Sequence, residues 1–214
     1  MYLRKNLFKV LLLAVLAGCS TDSESNDEPE MQVARTTITD PAFEQALIDQ
    51  GFDDALDGSV RTGAIDFLTD LNLDGLGIEN LGGIADFQAL VNLSVRNNAL
   101  SSLDLRNNTN LLFVWAENNQ ISSINLGTNP DFEKLGLDNN QMNSLDIAAY
   151  PEFQLLTLAN NNISSLDVSG APDLNTLAVE GNPLSCVQVS SVQLQAIPAN
   201  WTKDETDNYA EDCN

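Results

Sequence analysis

Six times along this chain one spacing returns: an apolar residue, two variable positions, an apolar residue, one variable position, and a third apolar residue. It reads Leu68-Leu71-Leu73, Leu90-Leu93-Val95, Leu111-Val114-Ala116, Phe132-Leu135-Leu137, Phe153-Leu156-Leu158 and Leu174-Leu177-Val179. The first step is 22 residues and the next four are 21. Apolar residues two apart at the end of each copy predict a short strand with one buried face. A unit this small has nothing of its own to bury that face against. Its neighbours must supply the cover, so the chain has to stack as a repeat array.

Five copies continue with an asparagine two residues before another apolar side chain: Asn98/Leu100, Asn119/Ile121, Asn140/Met142, Asn161/Ile163 and Asn182/Leu184. A carboxamide offers two donors and an acceptor. Placed where the strand bends inward, it can satisfy backbone groups that the bend strips of partners, and stacked copies would form a structural ladder. Leu76 stands at that position in the first unit, which therefore reads as an atypical terminal repeat. The full pattern, L-x-x-L-x-L-x-x-N-x-L, resembles the leucine-rich repeat. After each Asn comes a second run, such as Ser102-Leu103-Asp104-Leu105, Ser123-Ile124-Asn125-Leu126, Ser144-Leu145-Asp146-Ile147 and Ser165-Leu166-Asp167-Val168. Its apolar residues are again two apart, so the return segment is expected to be extended, not helical. The fold class expected is a mostly β solenoid of short, 21–22-residue leucine-rich repeats with a parallel concave sheet, an N-terminal helical cap and a disulfide-closed C-terminal cap.

The first residues carry Arg4, Lys5 and Lys9, then an apolar run from Val10 to Ala17. That run is too short to span a bilayer and fits a secretory signal over residues 1–18. Leu16-Ala17-Gly18-Cys19 resembles a bacterial lipobox, which implies cleavage before Cys19 and lipid on that residue; the alternative is an ordinary signal peptide with a chance cysteine. Residues 19–35 hold the acidic stretch Ser20 to Glu30, which has no apolar residue to bury and reads as a tether. Acid placed just after a lipidated cysteine also resembles the surface-export signal of Bacteroidota lipoproteins. The expected location is the outer membrane, lipid-anchored and exposed at the cell surface, with a periplasm-facing position as the alternative. Formal net charge is −22, and loss of residues 1–18 would leave 6 Lys and Arg against 31 Asp and Glu. Such a polyanion is repelled by nucleic acid and by anionic lipid, so contact with a membrane is expected only through the anchor at Cys19. With Cys19 lipidated, Cys186 and Cys213 remain, and two cysteines in an exported chain are expected to be bridged.

Residues 36–67 read as the N-terminal cap. Asp40-Pro41 supplies an N-cap and first helical residue, Phe43, Leu47 and Ile48 fall at helical spacing, and Gly51 is placed to stop the helix. Asp53, Asp54 and Asp57, before Gly58, could mark a calcium loop, but they lack the alternate-position spacing and the distant Glu of an EF-hand; a solvated turn is the expectation. Residues 68–185 form the six repeats. After Leu184 the periodicity fails, and residues 186–214 read as the C-terminal cap, with Val192, Leu194, Ile197 and Trp201 as its apolar anchors.

The region from about residue 36 to 214 is similar to the leucine-rich-repeat lipoproteins of Bacteroidota and, more distantly, to internalins, most clearly in Thr36 to Ile48 and in Asn182 to Val189. The resemblance implies extracellular recognition, carries over no catalytic residue and names no ligand. Strand positions between the inward residues should project from the concave face. One row there is Asn72, Ser94, Trp115, Gly136, Thr157, Ala178, with Phe113 pointing the same way; the next is Asp74, Arg96, Glu117, Asp138, Ala159, Glu180. The candidate partner-contact residues are Trp115, Phe113, Arg96, Glu117, Asp138 and Lys134. The chain has no His, no phosphate-binding glycine loop and no Cys/His metal set, so no enzyme activity, cofactor or metal is expected. The expected partner is an extracellular protein, with a glycan-binding accessory role in polysaccharide uptake, or a plain envelope spacer, as the alternatives.

Overall fold

The computed structural model describes residues 33–213. The signal segment, Cys19 and most of the acidic tether lie outside the described residues. At the N-terminal end β1 (Arg35–Thr37) and β2 (Ser59–Arg61) pair antiparallel around helix α1 (Pro41–Asp49). One carboxylate sets this cap in place. Asp40 Oδ1 accepts the N–H groups of Ala42 and Phe43 at 2.9 and 3.2 Å, and its Oδ2 accepts those of Glu79 and Asn80 at 2.7 and 3.0 Å. It thus caps the helix and ties it to the first repeat. Burial works to raise its pKa, but these four donors outweigh it and hold the carboxyl below the ordinary 3.8. The helix ends in a Schellman motif: Phe52 N–H donates to Leu47 O and Gly51 N–H to Ile48 O, both at 2.9 Å, with Gly51 at φ +81°. Phe43 and Leu47 are fully buried, and Phe43 stacks on Phe87.

Buried Glu44 accepts the backbone N–H groups of Asp57, Gly58 and Ser59 at 2.9, 2.6 and 3.0 Å. The Asp53–Gly58 turn is therefore shaped by a helix carboxylate, and Asp57 is bound to Arg35 at 3.0 Å. Among the described residues no group of three or more His, Cys, Asp or Glu side chains is placed to hold a metal ion.

The coils follow as β3 (Asp70–Asn72), β4 (Asn92–Ser94), β5 (Ser102–Asp104), β6 (Phe113–Trp115), β7 (Ser123–Asn125), β8 (Lys134–Gly136), β9 (Leu155–Thr157), β10 (Leu166–Asp167), β11 (Thr176–Ala178) and β12 (Cys186–Gln188). Helix α2 (Ser191–Gln195), β13 (Asn200–Thr202) and β14 (Asn208–Ala210) complete the chain. A seven-stranded parallel sheet runs β3-β4-β6-β8-β9-β11-β13. Its central residues Leu71, Leu93, Val114, Leu135, Leu156 and Leu177 lie in register and all point into the core. Each such side chain contributes about 1.5–3 kcal/mol on burial.

The ladder asparagines stitch coil to coil. Asn140 Oδ1 accepts Ile121 N–H of the preceding coil at 2.8 Å, and its Nδ2 donates to Ala116 O and Leu137 O at 2.9 and 3.1 Å. Asn98, Asn119, Asn161 and Asn182 repeat this arrangement. A second line of asparagines, one residue earlier, is absent from the sequence reading. Asn97, Asn118, Asn139 and Asn160 all take left-handed backbone with φ of 56–58°, a conformation Asn tolerates better than most residues. Asn139 donates to Asn118 Oδ1 and Asn160 to Asn139 Oδ1, each at 2.9 Å.

On the return side β5 pairs with β7, and β10, β12 and β14 form a separate parallel sheet. The Ser144–Ile147 segment joins neither, contrary to a uniform run of extended return segments. The corner that follows also differs from its predecessors. Buried Asn108 and Asn129 occupy this corner in earlier coils and donate to main-chain carbonyls, Asn108 to Ile84 O at 2.8 Å and Asn129 to Leu111 O. Tyr150 takes the place in the next coil. Its ring packs against Phe132 and Phe153, and its hydroxyl donates to Gly127 O at 2.8 Å. An aromatic ring thus stands where the two preceding coils carry an amide, next to the segment that leaves the return sheet.

The C-terminal cap departs from expectation in two ways. The array does not stop at 185: β13 adds a strand to the long sheet beside β11, and β14 adds one to the return sheet beside β12. Cys186 and Cys213 form a disulfide across this last coil. Trp201 belongs to the cap core, its indole N–H donating to Leu174 O at 3.1 Å. Val192 and Leu194, expected as anchors, face outward at 76% and 39% exposure. The anchor of α2 is instead Gln193, whose Nε2 donates to Val168 O and Ala171 O at 3.1 and 2.9 Å while its Oε1 accepts Ser190 N–H in a capping box. The corner carbonyls need a donor more than they need an apolar neighbour.

Candidate recognition surface

The exposed face of the long sheet carries two adjoining rows fixed by strand register. One is Asp70, Asn92, Phe113, Lys134, Leu155; the other is Asn72, Ser94, Trp115, Gly136, Thr157, Ala178. Phe113 and Trp115 are half-buried at the middle of the sheet. Gly136 beside Trp115 has a spatial reason: a Cβ there would lie 2.6 Å from Glu117 Oε1 and 3.0 Å from Trp115 Cε3. The missing side chain gives the indole and the carboxylate room to lean across the strand.

Both cations of this face lie over aromatic rings. The Arg96 guanidinium is 4.8 Å from the centroid of Trp115, and Lys134 Nζ is 5.1 Å from that of Phe113. Such pairs contribute about 0.5–1 kcal/mol where solvent reaches them. Arg96 is also fixed by Glu117, Nε to Oε2 at 2.8 Å, with Asp74 at 3.9 Å. Asp74 Oδ1 accepts Ser94 Oγ–H and Arg96 N–H, both at 2.7 Å. One face of Trp115 is therefore covered by a pinned guanidinium. Lys134 makes no ion pair among the described residues.

Asp138 plays a different part from the one its row suggests. It is half-buried, and its Oδ1 accepts Ala159 N–H at 2.8 Å. Burial pushes its pKa up, with the neighbouring Glu117 and Glu180 carboxylates adding to the rise. It serves the backbone of the next coil before it serves a ligand.

Toward the N-terminal end of this face lies a depression of about 430 Å³, bounded by Gln50, Asp70, Asn72, Asn92, Ser94, Arg96 and Trp115. Gln50, Asp70 and Asn92 are not among the residues sequence reasoning singled out. The 22-residue step that aligns Leu71 with Leu93 also aligns Asp70 with Asn92, but nothing in the repeat points to Gln50, which comes from the cap. Two further depressions, of about 400 and 360 Å³, flank Ser144–Asp146 on the return side.

Seven parallel strands, an asparagine ladder and capped ends define the class: a leucine-rich-repeat solenoid. No protein-family model and no curated protein sequence matches the chain. Solved structures do. The functional domain of InlJ from Listeria monocytogenes, which includes a cysteine ladder, superposes with a TM-score of 0.64 at 20% identity over 73% of this chain. Internalin C2 of the same organism superposes with a TM-score of 0.53 at 17% identity, covering 85% of this chain and 92% of its own. This chain spans 38% of the InlJ domain. At these identities the likeness is one of fold, a distantly internalin-like solenoid.

Proposed function

We propose that the protein is a non-catalytic recognition module displayed on the cell surface, lipid-anchored at Cys19, which binds an extracellular protein through the exposed face of the long sheet. The observation that carries this reading is the pair of cation-aromatic contacts at the middle of that face, in a chain of net charge −22. Aromatic and arginine side chains held rigid at the centre of a surface are what interface hot spots are made of. Lys134, with no ion pair among the described residues, offers a partner carboxylate a charge to meet. The absence of His from the sequence and the binding-scaffold character of the fold support a role without catalysis.

The test begins with capture of a partner from extracellular extracts, followed by affinity measurement on variants. Trp115→Ala should weaken binding by about 2 kcal/mol, roughly thirtyfold, and Lys134→Glu should weaken it as well. Asp104→Ala, on the return side, should bind as wild type. Unchanged affinity in Trp115→Ala, with loss in a return-side variant, would place the interface elsewhere.

A further inference from the structure

We propose that the depression at the N-terminal end of the long sheet is a saccharide subsite that takes one neutral pyranose ring. Three carboxamides from three elements meet there: Gln50 from the end of the cap helix, Asn72 from β3 and Asn92 from β4. Asp70 and Ser94 stand among them, and Trp115 with its stacked Arg96 forms the wall.

The chemistry of the ligand follows from which hydrogen-bonding groups are already used. Asn72 Oδ1 accepts Asp74 N–H at 2.9 Å, which leaves its amide hydrogens to donate. Gln50 Nε2 donates to Asn72 O at 3.2 Å, which leaves its Oε1 to accept. Asn92 Nδ2 donates to Asp70 Oδ1 at 3.2 Å, while its Oδ1 is buried and has no donor among the described residues. The unused capacity is therefore mixed, with donors and acceptors interleaved around one hollow.

That mixture discriminates between ligand classes. A phosphate or carboxylate would use only the donors and would meet Asp70. An ammonium would use only the acceptors and would meet Arg96. A metal ion would find a single carboxylate. A hydroxyl both donates and accepts, so a ring bearing several hydroxyls answers the Asn72 amide and the Gln50 carbonyl together. The negative field of the chain disfavours acidic sugars, which leaves neutral ones.

The subsite is tested by titrating the isotopically labelled protein with glucose, galactose, mannose and N-acetylglucosamine, each into the tens of millimolar range, while following side-chain resonances. At least one sugar should shift the Trp115 indole and the Asn72 and Asn92 carboxamides. The Trp201 indole, buried in the far cap, should not move. Asn92→Ala and Gln50→Ala, each with an unchanged melting profile, should weaken the response about tenfold, the loss expected when one hydrogen bond to the ring is removed. If no sugar moves these resonances, or if both variants respond as wild type, the subsite does not exist. A positive titration is then followed by binding to purified neutral polysaccharide and to the captured partner before and after deglycosylation, which separates a free glycan from one carried on a protein. Because the titration uses free sugars, its failure would leave the protein-contact reading standing.

Discussion

Asn140 makes four main-chain hydrogen bonds through its buried side chain. Replacing it with Ala removes the partner of Ile121 N–H and a donor from the carbonyls of Ala116, Leu137 and Asp138. Asn140→Ala should therefore cost about 1–3 kcal/mol, whereas exposed Glu152→Ala should stay within about 0.5 kcal/mol; thermal or denaturant unfolding of the two variants checks this. Asp138 is unsuitable as the neutral comparison, because it holds Ala159 N–H. Its raised pKa gives a separate expectation. A carboxyl whose folded pKa lies above its unfolded value is a liability when charged, so its contribution to stability improves as pH falls toward the folded pKa. Asp138→Asn keeps the acceptor and removes the charge. It should melt higher than wild type at pH 7, and the gap should close in acid below the ordinary Asp range; a melting series over pH measures both. The ladder was legible because the same residue type recurs at a position where a strand must bend. The outer asparagines were not, because an Asn in a turn fits any solvated loop, and only the left-handed backbone reveals its use. Trp115, Phe113, Arg96 and Lys134 were placed on one face by register alone. That Arg96 would cover Trp115 depends on rotamers and on the empty space over Gly136, which periodicity does not encode.

The two caps differ in how plainly they are written. For α1, Asp40, Pro41 and Gly51 each have one good structural use, and the helix falls where they put it. For α2, the apolar residues Val192 and Leu194 point to solvent and a glutamine holds the element, because the open end of a coil presents carbonyls as well as apolar surface. Counting apolar positions misses that demand. The last coil is accordingly poor in apolar anchors, and the Cys186–Cys213 bridge, spanning 27 residues, holds its ends together. In the chain-entropy account a loop of that size is worth about 3–4 kcal/mol. Reduction should loosen the end before the middle: amide exchange should quicken across Asn200–Thr202 and Asn208–Ala210 while Phe113–Trp115 and Lys134–Gly136 stay protected. Uniform acceleration along the array would mean that the bridge stabilises the whole solenoid and not its cap; no acceleration would mean that the cap's packing suffices without it.

At the scale of the molecule, a repeat array offers a long, rigid face and no deep cleft, which suits contact with something large and fixed in place. The proposed anchor gives that face its setting. In that proposal Arg4, Lys5 and Lys9, the short apolar run and Leu16-Ala17-Gly18-Cys19 act together as one signal, and the acids from Asp22 to Glu30 follow directly. If Cys19 carries the lipid, the solenoid hangs from the membrane by its N-terminal side, and its strong negative charge keeps it off anionic headgroups. Cys19→Ala should then move the protein from the membrane fraction to the soluble fraction or leave an uncleaved precursor, seen by fractionation and by the mass of the mature chain. A variant that fractionates with membranes exactly as much as wild type, at the mature mass, would remove the lipid from the account. Exposure is a second question with its own readout. Protease added to intact cells should digest the wild-type protein; survival of the protein until the outer membrane is opened would turn it toward the periplasm, and the partner would have to be sought there.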